Sequence, residues 1–168
     1  MKLSVQQPYP ATVARMWSVF SDPAYPAAKY RALGALTVDV ARFVADAGEI
    51  SVDLTRKIPV ALDKLPGFAR KLVGDEQTMR HETRWRRIAD DDVRGALTIT
   101  AVGRPVRIVG EAKLAPRGDG ASELSFTFDI TSDVPLIGGK VEKLFFDQVS
   151  AALAADHAYT LEHLARAP

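Results

Sequence analysis

The stretch VEKLFFDQVSAALAADHAYTLEHL, residues 141–164, decides how the rest of the chain is read. At about 100° per residue, Val141, Phe145, Ala152 and Tyr159 gather on one helical face, flanked by Val149, Leu153 and Phe146. The apolar sector covers well over half the circumference, wider than a surface helix needs. Gln148, Asp156 and His163 fall within that sector, while Lys143, Asp147, Ser150 and His157 fill the remaining polar strip. A carboxylate on such a face is costly to bury unless it is hydrated, hydrogen-bonded or paired. Running roughly over 137–166, the helix spans on the order of 40 Å.

Upstream, the periodicity changes from one segment to the next. KLSVQQ alternates as a short first strand and stops at Pro8-Tyr9-Pro10. ATVARMWSVFSD places Val13, Met16, Trp17 and Phe20 at helical spacing. AYPAAKYRALGA reads as a second short helix, with Gly34 as its stop. From Leu36 the period is two. Leu36, Val38 and Val40 alternate, as do Ile50, Val52, Leu54 and Ile58, with ADAGE as the hairpin turn. Pairing Val44 with Ile50 sets Val40 opposite Leu54 and Leu36 opposite Ile58, and it places Arg42 and Arg56 on that same inward face. A Pro/Gly-framed amphipathic segment with Leu65, Phe68 and Leu72 interrupts the strands at residues 59–77. Four further strands follow: QTMRHETRWRRIA, VRGALTITAV, RPVRIVGEAKLAP and SELSFTFDITSD.

Antiparallel strands on short turns form a meander with one buried face, and that face needs an element laid across it. The C-terminal helix is the only one long enough. The reading is an α+β helix-grip fold: a curved antiparallel sheet of about seven strands wrapped around a long C-terminal helix, with two short helices after the first strand. One domain spans 1–168.

The opening PYPATVARMWSVFSDPAYPAAKYRALGA resembles that of the START-like (SRPBCC) superfamily of polyketide cyclases and lipid-transfer domains. The element order is similar over nearly the whole chain. LPGFARKLVGDEQTMRHETRW further resembles a bacterial branch of that superfamily without an assigned function. The resemblance implies the fold and a cavity between sheet and helix. It carries over no catalytic residue, because chemistry varies within one fold.

Composition narrows the partners. The net charge is +1, and hydrophobic residues make up 47%, an ordinary globular balance that gives no global reason to expect nucleic acid. Residues 56–107 hold 12 Lys/Arg against 7 Asp/Glu, which is either a solvated basic face on strands or a patch that steers an anionic ligand. Absence of cysteine excludes a disulfide framework and a thiol nucleophile. No signal peptide or membrane span is legible, so a cytoplasmic protein without integral membrane contact is expected.

Candidate ligand-contacting residues come from each inward face. Phe145, Gln148, Val149, Ala152, Asp156 and Tyr159 come from the helix, and Phe126 and Phe128 from the last strand. His81 and Trp85 share the apolar side of their strand with Met79, because Arg80, Glu82, Arg84 and Arg86 take the other side. Arg42 or Arg56 can partner Asp156, or can snorkel from the strand ends. Asp156 itself either lines a cavity or forms an ion pair that serves only the fold. His81 is a hydrogen-bonded structural residue, a ligand donor or a general base. Leu65, Phe68 and Leu72 are the candidate lid. His163, near the helix end, is expected past the sheet and in solvent.

No metal or other cofactor is expected, since His157 and His163 are about 240° apart on the helix. LIGGKVEK lacks the spacing of a phosphate loop, and its glycines are read as allowing a sharp turn into the helix. The expected function is binding or transport of a small hydrophobic or amphipathic molecule, a lipid or polyketide-like compound. The alternatives are a cyclase- or dehydratase-type enzyme using His81 or Asp156, and a protein-interaction module with a filled interior.

Overall fold

The structure is a computed structural model that describes residues 1–166. Strand β1 (Lys2–Tyr9) is followed by helices α1 (Val13–Phe20) and α2 (Tyr25–Ala32). The hairpin β2 (Thr37–Ala45) and β3 (Glu49–Pro59) leads into a 3-10 turn, Leu62–Lys64, and a single helical turn, α3 (Gly67–Arg70). Strands β4 (Glu76–Ala89), β5 (Asp92–Ala101), β6 (Val106–Pro116) and β7 (Ser122–Ser132) complete the meander before α4 (Gly138–Arg166). All seven strands form one antiparallel sheet in the order β1-β7-β6-β5-β4-β3-β2. Among the described residues, no helix is long and apolar enough to cross a membrane.

Local chemistry explains the element ends. Thr12 caps α1 by accepting the Arg15 N–H at 3.1 Å, one of the donors a helix start leaves open. Pro26 opens α2, where a missing N–H costs nothing. Gly34 closes that helix in the left-handed region at φ 96°, and the next residue, Ala35, donates back to the Tyr30 carbonyl at 2.9 Å. The hairpin tip is held by Asp46, whose carboxylate accepts the Gly48 and Glu49 N–H groups at 2.8 Å each.

Alternation places the sheet's apolar side inward. Along β4, Gln77, Met79, His81 and Trp85 are buried, whereas Arg80, Glu82 and Arg86 are exposed. The excess of positive charge at 56–107 therefore lies largely on the outer strand face. Much of it is paired there, as in Arg84–Asp53 at 2.6 Å and Lys57–Glu76 at 3.5 Å.

The register of the first hairpin departs from the simple alternating expectation. Val40 does face Leu54, but a bulge at Ala41 shifts the rest, so Arg42 faces Asp53, Phe43 faces Val52, and Val44 faces Ser51 rather than Ile50. A bulge inserts one unpaired residue and so inverts the faces beyond it. Leu36, expected inward, is 52% exposed. In the loop before α4 the left-handed residue is Leu136, at φ 66°, and not either glycine. Gly138 answers a different need: a Cβ there would stand 3.0 Å from the Ser132 carbonyl oxygen.

Helix α4 packs chiefly on β7 and β1 and touches α2. Val141, Phe145 and Val149 are buried in its first half, and Thr160 farther along. Covering one side of the sheet leaves the concave face of β3, β4 and β5 open below the helix.

Candidate functional site: a cavity between sheet and C-terminal helix

That open region is a cavity of about 510 Å³. Its floor is set by strand alternation: Val52, Leu54, Arg56 and Ile58 from β3, and every second residue of β4 from Gln77 to Trp85. Leu97 and Ile99 of β5 and Leu124, Phe126 and Phe128 of β7 extend the floor. Helix α2 walls one flank with Tyr25, Lys29 and Leu33 at i, i+4, i+8, and with Pro26 and Tyr30 at i, i+4. From the Pro/Gly-framed segment come Val60, Ala61, Lys64, Leu65 and Val73. Gln148, Ala151, Ala152 and Ala155 of α4 line the cavity while remaining exposed, so they mark its mouth.

Two glycines give the aromatic walls their seats. Gly95 lies opposite Trp85 and Gly110 opposite Phe128. A Cβ on Gly95 would stand 2.6 Å from the indole, and one on Gly110 2.4 Å from the phenyl ring. Each ring therefore lies over a bare backbone, in space that a side chain on the glycine would fill. Phe20 of α1 stacks on Trp85 with centroids 5.3 Å apart.

The first polar group in the wall is an ion pair. Lys29 Nζ donates to Asp156 Oδ2 at 2.7 Å, with the two side chains 14% and 26% exposed. Burial alone pushes the Lys29 pKa down, but the Asp156 carboxylate beside it outweighs that and holds it above its ordinary value. Thr160 Oγ1 donates to the Asp156 backbone carbonyl at 2.9 Å and shares a 2.6 Å hydrogen bond with the Tyr25 hydroxyl. Burial, reinforced by Asp156, pushes Tyr25 up to about 12, so its phenol stays protonated. Tyr9 donates to Gln7 Oε1 at 2.9 Å, and Gln7 Nε2 donates to the Leu153 carbonyl at 2.9 Å, tying α4 to β1.

The second group joins β3 and β4. Arg56 Nε donates to His81 Nε2 at 3.0 Å, which places the imidazole proton on Nδ1. His81 is 7% exposed. Its burial first, and then the positive charges of Arg56 and Lys29, hold its pKa well below the ordinary histidine value, so the ring is neutral. The Arg56 guanidinium lies 4.4 Å from the Tyr30 ring centroid, and Lys29 Nζ lies 4.8 Å from the same centroid.

Several sequence expectations meet in this cavity and others do not. Arg56, His81, Trp85, Phe126, Phe128, Phe145, Gln148, Val149, Ala152, Asp156 and Leu65 all line it. Arg42 does not, because the bulge turns it to the outer face. Tyr159 lies outside the wall, packed against Tyr25 with centroids 6.0 Å apart. Phe68 and Leu72 pack on the hydrophobic core instead of facing the cavity, and Lys140 at the start of α4 stands 5.9 Å over the Phe68 ring.

Asp156 is partnered by Lys29 rather than by an arginine of the hairpin. His163, expected in solvent, is half-buried against Tyr25 at 5.2 Å. His157 leaves the polar strip to bond the Pro8 carbonyl oxygen at 2.8 Å and pack on Tyr9. Lys29 and Tyr30 were absent from the sequence-based set. The i, i+4 spacing of Tyr25 and Lys29, and of Pro26 and Tyr30, was the available signal.

Residues 4–164 match a family described as "Protein of unknown function (DUF2505)". The chain belongs to the DUF2505 family. The DUF2505 chain is 26% identical over 126 residues to "Uncharacterized protein Rv0481c" of Mycobacterium tuberculosis (strain ATCC 25618 / H37Rv), covering 74% of this chain and 72% of that protein.

Solved structures extend the likeness at the level of fold. TTHA0849 from Thermus thermophilus superimposes with a TM-score of 0.61 at 14% identity, covering 100% of both chains. A START superfamily protein from Mycobacterium smegmatis gives 0.58 at 14% identity, covering 97% of this chain and 98% of that one. The Zhui aromatase/cyclase from Streptomyces sp. R1128 gives 0.59 at 12% identity, covering 96% and 89%. The DUF2505 chain thus has the START-like helix-grip fold.

Proposed function

We propose that the DUF2505 chain binds, and in that way carries, a small hydrophobic or amphipathic molecule such as a lipid or polyketide-like compound. The observation that carries this reading is the 510 Å³ cavity itself, walled by aromatic and aliphatic side chains with a few convergent polar groups. Ligand pockets fall in the range of about 300–1,000 Å³ and share that composition. In this reading the exposed alanines of α4 keep the mouth open, because each ends at a methyl group, and the segment 60–73 is the cover. Native mass spectrometry of the purified protein, with displacement of a fluorescent lipid, tests the reading. Co-purifying apolar ligand or saturable displacement supports it, and the absence of both sinks it.

A cyclase- or dehydratase-type reaction is the second reading, favoured by the placement of both His81 and Asp156 in the wall. A general base works best with a pKa near the operating pH. His81 is held well below it, and Asp156 is engaged by Lys29, which weighs toward binding.

A further inference from the structure

The geometry points to a ligand with a single anionic head group on an apolar body, its head taken by the free edge of the Arg56 guanidinium. This rests on the cavity-binding reading above. Among the described residues, Asp156 is the only carboxylate in the cavity lining, and Lys29 already neutralises it at 2.7 Å. Lys64 lies at the exposed rim. Among the described residues, the interior of the cavity thus keeps one uncompensated cation, Arg56.

The side chain of Arg56 is also held in place. Its Nε is committed to His81 at 3.0 Å, and its central guanidinium carbon lies 4.4 Å from the Tyr30 ring centroid. No described carboxylate lies within ion-pair distance of it. Arginine has five N–H donors in a planar fork, so the four on the terminal nitrogens remain for a planar anion. A half-buried charge facing an apolar chamber is unfavourable without a partner. A fork held on two sides loses little freedom when it binds one. His81 contributes as a positioning residue: a neutral ring accepts from Arg56, whereas a protonated ring has no acceptor to offer.

The shared chemistry is a monocarboxylate, which either an aliphatic or an aromatic acid can supply. The test uses matched pairs on the full chain: dodecanoate against 1-dodecanol, and 2-naphthoate against 2-naphthol. All are titrated below their aggregation limits and read by calorimetry. The expected result is that in the pair that binds, the acid binds at least about tenfold tighter than the alcohol. Arg56→Gln should abolish that preference while leaving the alcohol within about twofold, and Arg56→Lys should restore only part of it.

Which pair binds distinguishes the two sources of the head group. Equal affinities within a pair, or a preference for the alcohol, overturn the anionic-head proposal and leave the cavity reading standing. Binding of none of the four overturns both. If Arg56→Gln does not fold, Arg56→Lys takes its place: an acid preference undiminished in that variant overturns the assignment of the head group to Arg56.

Discussion

The two halves of the concave sheet face follow the same alternating rule and end in different environments. Under β7 and β1 the rule also produces a dry interface with α4, where Ile130 and Leu3 are almost inaccessible and neither lines the cavity. Under β3, β4 and β5 it produces a cavity wall, where Leu97 and Ile99 remain partly accessible. Strand residues explain little of the difference, since most inward positions are apolar in both halves, with Arg56, Gln77 and His81 the polar exceptions on β3 and β4. The difference lies in what stands opposite. The first half of α4 presents Val141, Phe145 and Val149, the last two reaching the cavity's edge, while its middle presents chiefly alanines, Ala151, Ala152 and Ala155. Where the helix surface is large the gap is filled, and where it is small the gap stays open.

The comparison is most exposed to a core truncation on its dry side. Ile130→Ala, in a fully buried strand position, should cost about 3–4 kcal/mol in urea unfolding. That corresponds to a fall in Tm of roughly 10 °C for a chain of this size. A cost under about 1 kcal/mol would show that the dry half is not tightly packed.

The second test bears on the ion pair that joins α2 to α4. Asp156→Asn leaves Lys29 largely buried without its counter-charge and should cost about 2–3 kcal/mol. Adding Lys29→Met should recover part of that loss, and a double-mutant cycle measures the coupling. If the single substitution costs no more than the double one, the pair does not act as a unit.

A pH series sharpens the contrast further. The His81 pKa is depressed in the folded chain, so below about pH 6.5 the unfolded chain binds a proton that the folded chain resists. Stability should therefore be fully present above about pH 6.5 and fall as the pH drops, by at most about 1.4 kcal/mol per pH unit. The groups facing the ring are Arg56, Lys29 and Tyr30. His81→Gln should flatten the slope between pH 7 and 5. An unchanged slope would assign the effect to other groups.

The smallest stability effect belongs to the open side. Leu97→Ala should cost roughly 1 kcal/mol or less, because one side of the leucine already lacks partner atoms, yet it should alter ligand affinity. If it costs as much as Ile130→Ala, the two halves are equally packed and the contrast fails.

Much of the architecture was legible from local signals. Period-two runs in 36–58 and 77–133, helical spacing at 13–20 and the long final helix gave the element order, because burying one face repeats an apolar residue at a fixed interval. Arg56, His81 and Asp156 were legible as inward polar residues by the same logic. Arg42 was not, because a bulge leaves the composition of the strand unchanged while inverting its faces. Lys29 also escaped, since its partner Asp156 lies 127 residues away and no local period reports such a distance.

From the sequence alone came the fold class, the inward sets of β3, β4 and β7 and the presence of polar groups on a core-facing helix. Those properties depend on each residue's own preference and that of its near neighbours. Tertiary structure decided that α4 covers one half of the sheet and spans the other, that Lys29 pairs with Asp156, and that Arg56 has His81 rather than a carboxylate as its neighbour. Each of these depends on which surfaces meet and how much of the space between them the side chains can fill.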